Sequence, residues 1–155
     1  MISLRILDIK LLMQKLLLDR ENAFDDYYLS EAVVKMAVTY SIDGHLNKDF
    51  GSPDDDFTSP DDELNEINMA YWKDVKQNVF SVIKGKKVPA GFNIILYKRH
   101  DHTNFMLRLS YDGSELFALT GTVCDYFTLD KSIDRIWDDE VIKFFTLCGI
   151  PFERQ

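Results

Sequence analysis

The sequence predicts an α+β fold: an antiparallel sheet of five or six strands packed against three helices. Three observations predict it. Segments whose apolar residues alternate with period two are interleaved with segments where they recur at three and four. The later strand-like segments are joined by short polar turns, which favour an antiparallel meander. The chain has 155 residues, 46% of them hydrophobic and 13% aromatic, enough to fill one core. We therefore expect residues 1–155 to form a single domain.

The elements follow in order. Ile2, Leu4 and Ile6 alternate with Ser3 and Arg5, as in a short strand, and Asp8 is suited to cap the helix after it. Over 9–18, Ile9, Leu12, Met13, Leu16 and Leu17 make an amphipathic helix with Lys10, Gln14 and Lys15 outward. Val34, Met36, Val38, Tyr40 and Ile42 alternate with polar or small residues and predict one long half-buried strand. Asp43-Gly44 fits a two-residue turn, which makes 45–50 the returning partner. Residues 51–63, with Pro53, Pro60 and six carboxylates, read as a mobile acidic loop.

Pro60, Asp61, Asp62 and Glu63 suit a helix start, so a helix is expected over 64–84, with Trp72, Val75, Val79 and Ile83 inward and Gly85 at its end. Strands at 92–98, 105–111 and 115–120 are separated by turns at 100–104 and at Asp112-Gly113. A last helix at 132–148 places Ile133, Ile136, Trp137, Val141, Phe144 and Phe145 on one face before Gly149 and Pro151. The order strand, helix, strands, helix, strands resembles one domain of a sliding-clamp processivity factor, an analogy of element order that does not fix function.

Charge and cysteine usage restrict the class. The formal net charge is −8 and the pI about 4.8, which disfavours a protein whose whole surface embraces nucleic acid but leaves room for a local basic face. Cys124 and Cys148 are too few for a disulfide framework, so a reducing cytoplasm is the expected location. Arg5, Asp8, Lys10, Gln14 and Lys15 interrupt the first apolar stretch, which argues against an export leader, and no apolar run is long enough to span a membrane. We expect a soluble protein without membrane contact.

Four constellations invite chemistry. Lys73, Lys76, Lys84, Lys86 and Lys87 fall on or just after one helix, and helical spacing brings the first three toward one flank. That flank is the candidate contact for anions or nucleic acid, with solubilising charge as the alternative. Asp54, Asp55, Asp56, Asp61, Asp62 and Glu63 offer hard oxygen ligands, but no calcium-loop spacing joins them and a solvated segment is the simpler account. His100-Asp101-His102 in a turn supplies imidazoles and a carboxylate that diverge unless folding brings His45 or a buried acid beside them. Cys124 beside Asp125 lacks any nucleophile motif, and packing accounts for both cysteines. No dinucleotide fingerprint, phosphate loop or zinc motif occurs, so no cofactor or metal is expected.

The stretches MISLRILDIK with the KLLL after it, LSEA, SIDGHLNKDF, YWKDVKQNVFSVIKGKKVP and TGTVCDYFTLDKSIDRIWDDEVIKFF cover most of the chain. Together they resemble an uncharacterised family of small conserved bacterial proteins of the Clostridia type, a domain of unknown function. The resemblance implies a stand-alone bacterial cytoplasmic protein and supplies no activity or site residue. The residues thus favour a non-enzymatic binding or assembly module that contacts nucleic acid or a protein partner through the basic flank, and self-association is compatible with it. The alternative is an enzyme assembled from His45, the turn holding His100 and His102, and Asp125.

Overall fold

A computed structural model describes residues 1–18, 22–47, 68–85 and 87–155. Its elements are β1 (Ser3–Ile6), α1 (Ile9–Leu17), β2 (Tyr28–Lys35), β3 (Thr39–Asp43), α2 (Trp72–Ile83), β4 (Gly91–His100), β5 (Thr103–Tyr111), β6 (Leu116–Cys124), α3 (Ser132–Leu147) and β7 (Phe152–Arg154). Among the described residues the fold is α+β, with three helices and one seven-stranded antiparallel sheet in the order β3-β2-β4-β5-β6-β1-β7. The strand count corrects the expected five or six.

The extra strands have identifiable causes. The stretch 34–42 is a hairpin, not one strand: β2 ends at Lys35, the Met36 amide donates to the Val38 carbonyl at 3.0 Å, and β3 resumes at Thr39. The apolar alternation runs through this turn, and no glycine, proline or asparagine marks it. Nor do 45–47, the described part of the expected partner 45–50, return along β3. Gly44 donates to the Ser30 carbonyl and His45 bridges Met69. β7 spans three residues, too few for periodicity to register.

The second helix begins at Trp72, later than the expected 64–84. Residues before it are drawn alongside β2: the Leu29 amide donates to the Ala70 carbonyl, the Trp72 amide to the Tyr27 carbonyl, and Tyr71 bridges Tyr28. The acidic loop at 51–63 and the helix start at Pro60, Asp61, Asp62 and Glu63 lie outside the described residues. The other helices match expectation to within a residue. Asp8 caps α1 by accepting from the Leu11 amide at 2.9 Å.

One face of the sheet carries the core. Ile94 pairs with Leu109 and Leu109 with Ala118, which pairs with Leu4, so one buried row crosses four strands. Leu12 and Leu16 of α1, Trp72 and Val79 of α2, and Val141 and Phe145 of α3 join these residues in a single cluster. Each such side chain contributes about 1.5–3 kcal/mol by leaving water. Two indoles fix the layers, Trp72 Nε1 donating to the Leu16 carbonyl at 2.7 Å and Trp137 Nε1 to the Met106 carbonyl at 2.9 Å. The alternate positions, among them Asn93, Ile95, Tyr97, Met106, Phe117 and Leu119, form the other face and stay half-buried, with Arg108 exposed among them.

Candidate functional site

The lysine flank is divided by the fold. Trp72, Val75, Lys76 and Val79 share the buried side of α2, so Lys76 is carried inward with them. It is 3% exposed, and its Nζ lies 3.0 Å from Asp25 Oδ1. Lys76 is therefore a core ion-pair residue, a correction to the expected surface cluster. Lys73 stays exposed with its ammonium 5.1 Å from the Tyr71 ring centroid, Lys84 and Lys87 are exposed after the helix, and Lys86 lies outside the described residues. The acidic cluster at 54–56 and 61–63 lies outside them too.

The histidines separate as well. His45 Nδ1 is 2.6 Å from Asp43 Oδ1, which also accepts from the His45 backbone amide; these two bonds hold the Asp43 carboxyl below its ordinary value of 3.8. Asp101, at φ 52°, and His102 form a two-residue turn between β4 and β5, and the rings of His100 and His102 point into solvent. His102 Nδ1 is 3.8 Å from Asp125 Oδ2, an oxygen already bound by Arg99 at 2.7 Å. At that distance the pair is not a hydrogen-bonded base and orienter. The half-buried Cys124 thiol lies 3.5 Å from the Thr103 hydroxyl, and the half-buried Cys148 packs against the core.

What folding does build around this turn is a cleft of about 710 Å³ between the β4–β5 hairpin and α3. Phe105, Ile133 and Trp137 make its apolar floor, while Lys98, His102 and Glu140 are among its polar walls. The Phe105 and Trp137 rings lie 5.2 Å apart, and Thr122 and Thr120 of β6 bond Asp134 and Asp138 of α3, which fixes the helix to the sheet. The loop from β6 to α3 is tied at one end by the Asp125 amide donating to the His102 carbonyl at 2.8 Å. At the other end Asp130 accepts from the Ser132 amide and hydroxyl, bonds that hold its carboxyl below the ordinary value.

Between these ties the loop presents apolar side chains to water. Tyr126 is 52% exposed, Phe127 89% and Leu129 83%, with Val123 and Ile136 more than half exposed beside them. Burying a side chain of the Phe127 or Leu129 kind is worth about 1.5–3 kcal/mol, so the loop forgoes a stabilisation it could obtain by packing inward. Of these side chains Tyr126 and Ile136 line the cleft, and exposed apolar side chains at a concavity mark an interaction surface.

The model of a family described as a family of unknown function, DUF5721, matches residues 15–104 and 97–153. The chain belongs to this family. No curated protein and no solved structure matches it, so the clamp-like element order has no matching structure behind it. In this DUF5721 protein the two matched segments overlap on 97–104, the hairpin end that walls the cleft. Sequence reading missed the cleft because Phe105, Trp137 and Ile133 belong to apolar stripes that also serve the core. A signal was present in Tyr126-Phe127-Thr128-Leu129, three large apolar residues in a stretch with no helical or strand neighbours to bury them.

Proposed function

We propose that this protein is a binding module that receives an apolar or aromatic-anchored segment of a protein partner in the cleft between the β4–β5 hairpin and α3. The observation that carries the reading is the near-complete exposure of Phe127 and Leu129 on a loop whose two ends are held by hydrogen bonds. Tyr126 of the same loop and Ile136 of α3 line the cleft itself, so the exposed loop continues into a concave apolar floor of the kind that carries most of an interface's energy. About 710 Å³ accommodates a few side chains of a docked peptide. A flat anionic lipid surface suits it poorly, since Asp125, Asp130, Asp134 and Glu140 stand around the loop and cleft. Two cysteines, Cys124 and Cys148, are too few for a disulfide framework and favour a reducing cytoplasm, and the family resemblance favours a bacterial one; alkylation of both thiols in freshly lysed cells tests the compartment.

Panning a random peptide display library on the purified protein tests the reading. Enriched peptides should share one large apolar anchor and bind with an affinity lost in Phe127→Ser/Leu129→Ser and kept in Lys84→Glu. Peptides that bind the double variant equally well, or neutral phosphatidylcholine vesicles that bind in their place, would overturn it. Labelled single-stranded RNA and duplex DNA titrated at low salt supply the remaining arm. Saturable binding lost in Lys73→Glu/Lys84→Glu/Lys87→Glu would favour the basic surface instead.

A further inference from the structure

At the opposite end of β4 and β5 from the cleft, a second hollow of about 510 Å³ opens beside Lys35, Asn93, Arg108 and Ser110. Strand register makes this grouping. Lys35 stands opposite Gly91, Asn93 opposite both Val33 and Ser110, and Arg108 opposite Ile95, so the four polar side chains gather across three adjacent strands on the face away from the core. Glycine at position 91 is required there, because a Cβ would meet the Tyr111 carbonyl oxygen at 2.8 Å.

The electrostatics of the hollow run against those of the chain. In a protein with 26 acidic and 18 basic side chains, cations ordinarily find carboxylates, as Arg5 does with Glu115 and Glu153, and Arg99 with Asp125. Among the described residues Lys35 and Arg108 make no ion pair. Arg108 is nonetheless oriented: its Nε donates to Asn93 Oδ1 at 2.7 Å, which leaves the terminal guanidinium N–H groups and the Asn93 amide N–H groups as donors. The one carboxylate lining the hollow, Asp112, has Oδ1 engaged by the Ser114 amide, the Ser114 hydroxyl and the Glu115 amide. Those bonds hold it ionised and below its ordinary value.

We propose that this hollow is a binding site for the phosphate group of a small phosphate monoester. With Asp112 tied to its own turn, the two cations leave the lining net positive toward a phosphate, a guanidinium fork matches phosphate oxygens, and the Asn93 amide and Ser110 hydroxyl supply neutral donors. The hollow is several times larger than a phosphate, so the remainder receives the organic body of the ester. This site is separate from the proposed peptide cleft and stands or falls independently of it.

The test is a titration of the uniformly ¹⁵N-labelled full chain, read at the backbone amides of 91–93 and 108–111 and at the Arg108 Nε–H. Inorganic phosphate, glucose 6-phosphate and adenosine monophosphate are the probes, with sodium chloride at matched ionic strength as control. Saturable shifts confined to these signals are expected, with either ester at least tenfold tighter than inorganic phosphate. Arg108→Gln should abolish the shifts and Arg108→Lys should weaken them about tenfold, while both variants keep the wild-type spectrum elsewhere. Shifts matched by chloride, or retained in Arg108→Gln, would overturn the site. Inorganic phosphate binding as tightly as both esters would overturn the assignment of the hollow to an ester.

Discussion

Replacing Lys76 separates a structural lysine from a surface one. At 3.0 Å the attraction between its ammonium and Asp25 is about 5 kcal/mol for an effective dielectric near 20, much of it offset by desolvation. Removing one member of a buried pair costs about 3–5 kcal/mol. The Asp25 side chain is one-fifth exposed and can rehydrate, so Lys76→Met, which keeps the aliphatic stem, should lose about 3 kcal/mol. Lys76→Glu sets two carboxylates against each other in the same space and should lose about 5 kcal/mol. Lys84→Glu, on an exposed residue, should stay within about 0.5 kcal/mol of the parent. Urea denaturation followed by far-ultraviolet circular dichroism measures all three, with the slope checked for two-state behaviour. A Lys76→Glu protein within about 1 kcal/mol of the parent would refute the assignment of Lys76 to the core. Charge-reversal tests of nucleic-acid binding consequently belong on Lys73, Lys84 and Lys87, because reversal at Lys76 would abolish binding by unfolding the domain.

Gly44→Ala should be severely destabilising in thermal melts, because a Cβ would sit 1.8 Å from the Leu29 carbonyl oxygen, whereas Gly121→Ala should cost little since its 2.9 Å neighbour is the mobile tip of Met106. Trp72→Phe removes the indole donor to the Leu16 carbonyl and should cost about 1–3 kcal/mol in the same denaturant series. Asp130 has a folded pKa below its ordinary 3.8, so its stabilising contribution is complete above that value and is lost as pH falls through the folded pKa. Carbon-detected NMR titration should place its midpoint below 3.8, and a midpoint at or above 3.8 would contradict the tie to Ser132.

The legible parts of the fold were those where one physical rule acted alone. Asp8 and the stripe of Leu12 and Leu16 marked α1, and Gly149 with Pro151 marked the end of α3. Strand content after residue 91 followed from alternation because its turns carried Asp101 and Gly113 at positive φ. Where two rules competed, the reading slipped. Alternation at 34–42 concealed a turn made without turn residues, and the bonds of Ala70 and Tyr71 to the β2 side overrode a favourable helix composition. Lys76 was misplaced because charge was weighed before the helical angle it shares with Trp72 and Val79. Neither hollow was legible, since each depends on pairing registers between strands and on a helix laid across a hairpin.

The position of β1 in the sheet imposes an order on assembly. Its partners are Leu116–Cys124 on one side and Phe152–Arg154 on the other, more than a hundred residues further along the chain. The hairpins β2–β3, β4–β5 and β5–β6 close locally and early, whereas β1 has no neighbour until β6, more than a hundred residues later, has been made. During synthesis Ile2, Leu4 and Ile6 therefore remain an unpaired apolar strand beside an amphipathic helix, available to any other open sheet edge. The interval before β6 emerges is the stage at which this chain is most exposed to misassembly, and folding chaperones would act on it there.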